Sequence, residues 1–147
     1  MKKLNLEKIY AKSRDITESV TRLKSFKNTS LEEFLRDRDK QDIASFRIVV
    51  ATEAAIDICL HIASKLINKV PEYYAGCFDL LAENEIIDRD LANRLVKMAR
   101  FRNLLVHQYW EINYARMYDI ITGPDLDDFK EFIQQITQLI EDNLSQS

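Results

Sequence analysis

Arg102, Asn103, His107 and Tyr109 carry side chains, at a close spacing, that could act on a phosphate group. They lie in the stretch Ala99–Trp110, which also holds the single tryptophan and one of the two histidines, and they read as Arg-Asn-x3-His-x-Tyr. An imidazole titrates near neutral pH and can take or give a proton. A guanidinium offers a planar fork of donors that fits phosphate oxygens and the charge they gain in a transition state. Packing alone does not call for a charged residue, an apolar run and then His-x-Tyr inside a helical protein.

These residues need a helix to position them. Asp88 is a plausible N-cap, and Leu91, Leu95, Met98 and Leu105 mark the buried side of a helix running into the motif. On a straight α-helix five residues turn through about 500°, so Arg102 and His107 point roughly 140° apart, whereas Arg102 and Tyr109 share a face. Two arrangements would bring the side chains together: a kink near Asn103, or the same motif from a second copy across a two-fold axis. The helix is also basic, with Arg89, Arg94, Lys97, Arg100 and Arg102 against Asp90 alone. The whole chain carries a net charge of −3 and the acids gather after residue 125. Any contact with nucleic acid must therefore rest on this local patch, with Arg94, Lys97 and Arg100 as candidate phosphate contacts.

The remaining sequence reads as a helical frame. Two glycines and two prolines in 147 residues leave few turn signals, which excludes an all-β fold. The expectation is an all-α, up-and-down bundle of four to five main helices in one domain spanning 1–147. Leu6, Ile9, Ile16, Val20 and Leu23 form a stripe over residues 4–26. Asn28-Thr29-Ser30 breaks it, and Ser30 with Glu33 has the spacing of a capping box that starts a short helix at Leu31. Residues 36–40 are all charged and read as a solvated connection.

Residues 42–69 are apolar around most of a helix, so that helix is either central or also covered by a second copy. Its polar residues Glu53, Asp57 and His61 share one face. Neighbours or an arginine across the bundle, such as Arg47 or Arg94, would satisfy them; alternatively Asp57 lines the motif cleft and orients its arginine or histidine. Pro71 is expected to end this helix, with further helices over residues 73–82 and 114–121. Gly123-Pro124-Asp125 opens the last helix, on which Leu126, Phe129, Ile133, Ile136 and Ile140 face inward as far as residue 143. Trp110, Phe101, Tyr73 and Tyr74 read as packing or copy-to-copy contacts, with base stacking as an open alternative.

No apolar run reaches the ~18 residues of a membrane span, and the first residues lack a signal-peptide core. The expectation is a cytoplasmic protein with no membrane contact. Cys59 and Cys77 lack paired spacing and read as reduced core residues. No Glu-x-x-His, His-x3-His or paired-cysteine spacing occurs, so neither metal nor cofactor is expected.

The motif resembles the signature of the HEPN superfamily, and its flanks are most similar to the HepT toxin branch. The likeness covers nearly the whole chain: Ala54-Ala55-Ile56-Asp57 and His61 in the long helix, Glu83-Asn84-Glu85-Ile86-Ile87-Asp88, and Met98 through Tyr109. Members commonly have glycine where Ala99 or Arg100 stands. The resemblance implies a homodimeric, metal-independent endoribonuclease, the toxin of a type VII toxin–antitoxin pair, cutting RNA such as tRNA or mRNA. Internal attack of a 2′-hydroxyl would use His107 as base or acid and Arg102 at the phosphate. Asn103 would orient His107 or the turn, and Tyr109 would touch a phosphate or base. The resemblance further implies a minimal nucleotidyltransferase antitoxin that adds AMP to Tyr109, placing bulk and negative charge where RNA phosphate must sit. A second reading is a non-catalytic nucleotide-binding or docking module beside a nucleotidyltransferase, which would not need the Arg102–His107 pair.

Overall fold

The computed structural model describes residues 3–145, and among them there are helices and turns but no strand. Four long helices form the frame: α1 (Leu6–Lys24), α3 (Arg38–Ile62), α5 (Arg89–His107) and α7 (Asp127–Ser145). Three short ones join them: α2 (Leu31–Arg36), α4 (Gly76–Glu83) and α6 (Tyr114–Thr122). The expected all-α bundle is what forms. Helix α3 is its axis, packing against each of the other six helices. Ala44, Ala51, Ala54 and Ala55 on α3 are buried, and such small side chains let neighbouring helices come close.

Most helix starts follow from local side chains. Asn5, Ser30, Asp37 and Asn113 each accept a hydrogen bond from the backbone N–H three residues on, satisfying one of the orphan donors of a helix N-terminus. Asp88 occupies the expected extended N-cap position of α5, but its side chain does not cap. Instead its Oδ2 accepts from Gln135 Nε2 at 2.9 Å while its backbone N–H donates to Gln135 Oε1 at 2.8 Å, tying the start of α5 to α7.

Three boundaries differ from expectation. The charged connection at residues 36–40 shrinks to Asp37 alone (φ −108°, ψ 98°), because that side chain caps α3 and holds Lys40 at 3.0 Å. Helix α3 loosens into a wide turn over Ala63–Ile67 and stops at Asn68 in the left-handed region (φ 58°), before Pro71 is reached. Hydrogen-bonded turns through Tyr73 and Tyr74 then delay α4 to Gly76. By contrast Gly123 stands where expected. A Cβ there would lie 2.6 Å from the Asp119 carbonyl, so only glycine lets the chain leave α6 this closely.

The core runs the length of the bundle, through Ile9, Ile16 and Leu23 of α1, Ile48, Ile58 and Ile62 of α3, and Phe129, Phe132 and Ile136 of α7. Cys59 and Cys77 are buried free thiols. Burial, reinforced by the adjacent Cys77 thiol, pushes the Cys59 thiol well up, which makes it unreactive. Among the described residues, no helix is long and apolar enough to cross a membrane.

His61 is buried, and its Nε2 accepts the Asn5 backbone N–H at 2.8 Å, anchoring the start of α1. Burial, then the charges of Lys8 and Lys65, hold its imidazole below the ordinary value of 6.5. The unfolded chain thus takes up a proton that the folded chain refuses. The stability present above the ordinary histidine value is lost as pH falls from there toward the folded value. Thermal melts at about pH 7.5 and about pH 5.5 should show a larger fall in Tm for the native protein than for His61→Gln, which keeps an acceptor but cannot charge. Equal falls would remove His61 from the acid sensitivity.

Candidate active site

Helix α5 runs unbroken from Arg89 to His107, with no interruption at Asn103. Arg102 therefore points toward α3 and His107 away from it. The Arg102 side chain is only 14% exposed. One terminal nitrogen of its guanidinium pairs with the Glu53 carboxylate on α3, and the other donates to Asn103 Oδ1 at 2.9 Å. Its Nε is buried with no hydrogen-bond partner. The Asn103 side chain thus holds the arginine, whereas His107 or the turn was expected as its partner. The fork is immobilised on one side by a charge from another helix and on the other by the next residue in its own chain.

His107 is the last residue of α5 and is exposed, with no side-chain hydrogen bond or ion pair among the described residues. Gln108 leaves helical geometry (φ −135°, ψ 44°), and Tyr109–Glu111 form a single tight turn. The common face expected for Arg102 and Tyr109 is not formed, because seven residues restore a face only while the helix continues. Tyr109 is 67% exposed and meets the ring of Trp110 edge-on, with centroids 5.3 Å apart.

The three polar residues of α3 divide between two neighbours. Glu53 reaches Arg102 on α5, Asp57 pairs with Lys12 of α1 at 3.0 Å, and His61 holds Asn5. Neighbours and an arginine across the bundle thus satisfy these residues, and the alternative in which Asp57 reaches the motif does not form; Glu53, one turn earlier, reaches it. The sequence narrowed the choice to this face of α3, but selecting between two acids one turn apart requires the register of α3 against α5. The partners suggested for them are occupied otherwise: Arg47 lies over the Phe46 ring and Arg94 binds α7.

Residues 16–136 match the family described as Ribonuclease HepT-like. This chain is a member of the HepT-like ribonuclease family. It is 34% identical over 104 residues to the mRNA nuclease HepT of Shewanella oneidensis, covering 71% of this chain and 77% of that one. It is 30% identical over 118 residues to the tRNA nuclease HepT of Aphanizomenon flos-aquae, covering 80% of each. Among solved structures it superposes with a TM-score of 0.82 on the tri-AMPylated Shewanella oneidensis HEPN toxin in complex with MNT antitoxin. That match is 30% identical and covers 89% of this chain and 97% of the other.

Within this HepT-like frame, the basic helix splits into two faces. Arg94 Nε and a terminal nitrogen donate to Asp128 and Glu131, each at 2.8 Å, so Arg94 braces α5 to α7 instead of standing free for phosphate as expected. Burial pushes the Asp128 carboxyl up, against the opposing pull of Arg94. Lys97 and Arg100 are exposed and have no ion pair among the described residues. By helix geometry they share a face with Asn103 and His107, so a basic track on α5 leads to the imidazole while Arg102 is turned to the opposite side. Tyr73 and Tyr74, each 61% exposed, and Trp110, 68% exposed, do not pack into the core. Phe101 does pack there, with the Arg116 guanidinium 5.3 Å from its ring centre.

Removing the Glu53 charge leaves a mostly buried guanidinium without its counter-ion. Glu53→Ala should lower stability by about 1–2 kcal/mol, the carboxylate being half exposed and partly screened. Asp57→Ala, which breaks only a partly exposed pair, should cost no more than about 1 kcal/mol. Urea unfolding midpoints of the two variants check the order, and the reverse order would refute it.

Proposed function

We propose that this chain is a metal-independent endoribonuclease, the toxin of a type VII toxin–antitoxin pair. Its site is completed by two copies of the chain. The carrying observation is the divergence along one unbroken helix: Arg102 is held against α3 while His107 stands exposed at the tip of α5. One chain offers a poor grip on a single phosphate with both side chains. A two-fold axis past the helix tips would set the imidazole of one copy beside the guanidinium of the other. Membership of the HepT-like family and the nuclease names of its relatives support the same reading.

In this proposal His107 of one copy takes the proton of a 2′-hydroxyl as that oxygen attacks the adjacent phosphorus. His107 of the other copy protonates the leaving 5′-oxygen as the P–O bond breaks. The products are a 2′,3′-cyclic phosphate and a 5′-hydroxyl. Arg102 stabilises the charge gathered on the non-bridging oxygens, and Asn103 and Glu53 keep its fork planar to them. Lys97 and Arg100 carry the strand along α5.

Tyr109 is the proposed site at which a nucleotidyltransferase antitoxin adds AMP. Its hydroxyl belongs to an exposed ring two residues beyond His107, and a relative is tri-AMPylated in complex with an MNT antitoxin. An added phosphate there would repel RNA phosphate beside the imidazole.

Purified protein should cleave total RNA in EDTA. His107→Ala should lose at least about a hundred-fold in rate, and Arg102→Lys, which lacks the planar fork, should lose a similar amount. Equal cleavage by native protein and His107→Ala would overturn the mechanism, and loss of native cleavage in EDTA would overturn its metal independence. Co-expressed with its antitoxin, Tyr109→Phe should gain no adenylyl mass and should remain toxic. A silenced Tyr109→Phe would move the modification elsewhere.

A further inference from the structure

We propose that Trp110 is the stacking platform for an unpaired base of the RNA strand beside the cutting site, and so biases the enzyme toward single-stranded substrate. The inference rests on the ribonuclease reading and adds a substrate feature to it. Trp110 is the single tryptophan of the chain, it lies three residues beyond His107, and it is 68% exposed. The backbone that carries it is a fastened turn. Gln108 N–H donates to the Leu104 carbonyl at 2.9 Å and Glu111 N–H to the Gln108 carbonyl at 2.8 Å, fastening the turn to α5 and closing it on itself. The Tyr109 ring meets the indole at 78°, so the two rings form a step with a broad face open to solvent.

The surroundings favour a nucleobase over a second protein chain as the occupant of that face. Along the turn Gln108, Glu111 and Asn113 are exposed and polar, Ile112 is half-buried, and Val106 and Tyr109 are the other exposed apolar side chains, a small apolar step set among polar groups. The exposed cations Lys97 and Arg100 lie on the His107 side of α5, where a phosphate backbone would run. Every base has a π-face, so an indole grips an unpaired base whatever its identity, whereas a base inside a duplex has both faces already covered. The platform therefore selects strand state and leaves sequence choice to other contacts.

The sole tryptophan is its own reporter. Native protein is titrated with a 2′-O-methyl oligoribonucleotide, which lacks the attacking hydroxyl, either single-stranded or annealed to its complement. Indole emission is read beside the anisotropy of an end label. The single strand should quench the emission and the duplex should not. Trp110→Ala should weaken single-strand binding by about ten-fold or more, with Trp110→Phe between the two. Binding seen by anisotropy with unchanged emission would overturn the proposal. So would equal binding by Trp110→Ala, absence of any RNA binding, or emission that shifts with protein concentration alone, which would place the indole between two copies. Cleavage of unmodified RNA separates the two readings. Quenching without cleavage would sink the nuclease and keep the platform, whereas cleavage with a silent indole would do the opposite.

Discussion

The ion pair between Arg102 and Glu53 is the constraint on which the candidate site depends. It joins the end of α5 to the middle of α3, the helix that touches all the others. A guanidinium that is mostly out of water needs a counter-charge, and here one carboxylate and one amide oxygen supply its acceptors while its Nε has none. That arrangement costs desolvation but gives a side chain with many rotamers a single direction. A fork so directed loses little freedom when it meets a phosphate, which is the physical content of a preorganised site.

The same pair explains the division of labour on α5. With Arg102 turned inward, Arg94 spent on α7 and Arg89 paired with Asp79 of α4, the exposed unpaired positive charge of the helix is carried by Lys97 and Arg100. A helix that looks uniformly basic in sequence is structurally two helices. One face holds the bundle together through ion pairs, and the other runs as a cationic track to the imidazole. A net negative protein can keep a local cationic track in this way because the acids of α7 are partly neutralised by the brace itself.

Sequence legibility followed the range of the interactions involved. The stripe of α1, the Ser30 cap, the inward face of α7 and the break at Gly123 were readable because each is set by residues within a few positions of one another. The start of α3 was missed because five consecutive charges mask the one, Asp37, whose short side chain caps a helix. The end of α3 was expected near residue 69 because Pro71 is a conspicuous breaker, while Asn68 reaches the left-handed region with less notice. At the site, the motif itself was legible. The choice of Glu53 over Asp57, the capture of Asn103 by Arg102 and the bracing role of Arg94 depend on the register between helices distant in sequence. Trp110 does not pack within its own chain, because α5 stops at His107 and the turn that follows carries the indole outward.

The joint between α2 and α3 leaves no room for indels. A single residue, Asp37, separates the two helices, and Gln41 of α3 reaches back to the Phe34 carbonyl at 2.9 Å. Phe34 is wholly buried between the rings of Phe26 and Tyr118. One residue added to or removed from this corner would swing α2 by about 100° and carry Phe34 out of its socket. Length variation among descendants of this sequence should therefore collect in the looser passage between α3 and α4, and the corner at Asp37 should keep its residue count even where its side chains drift.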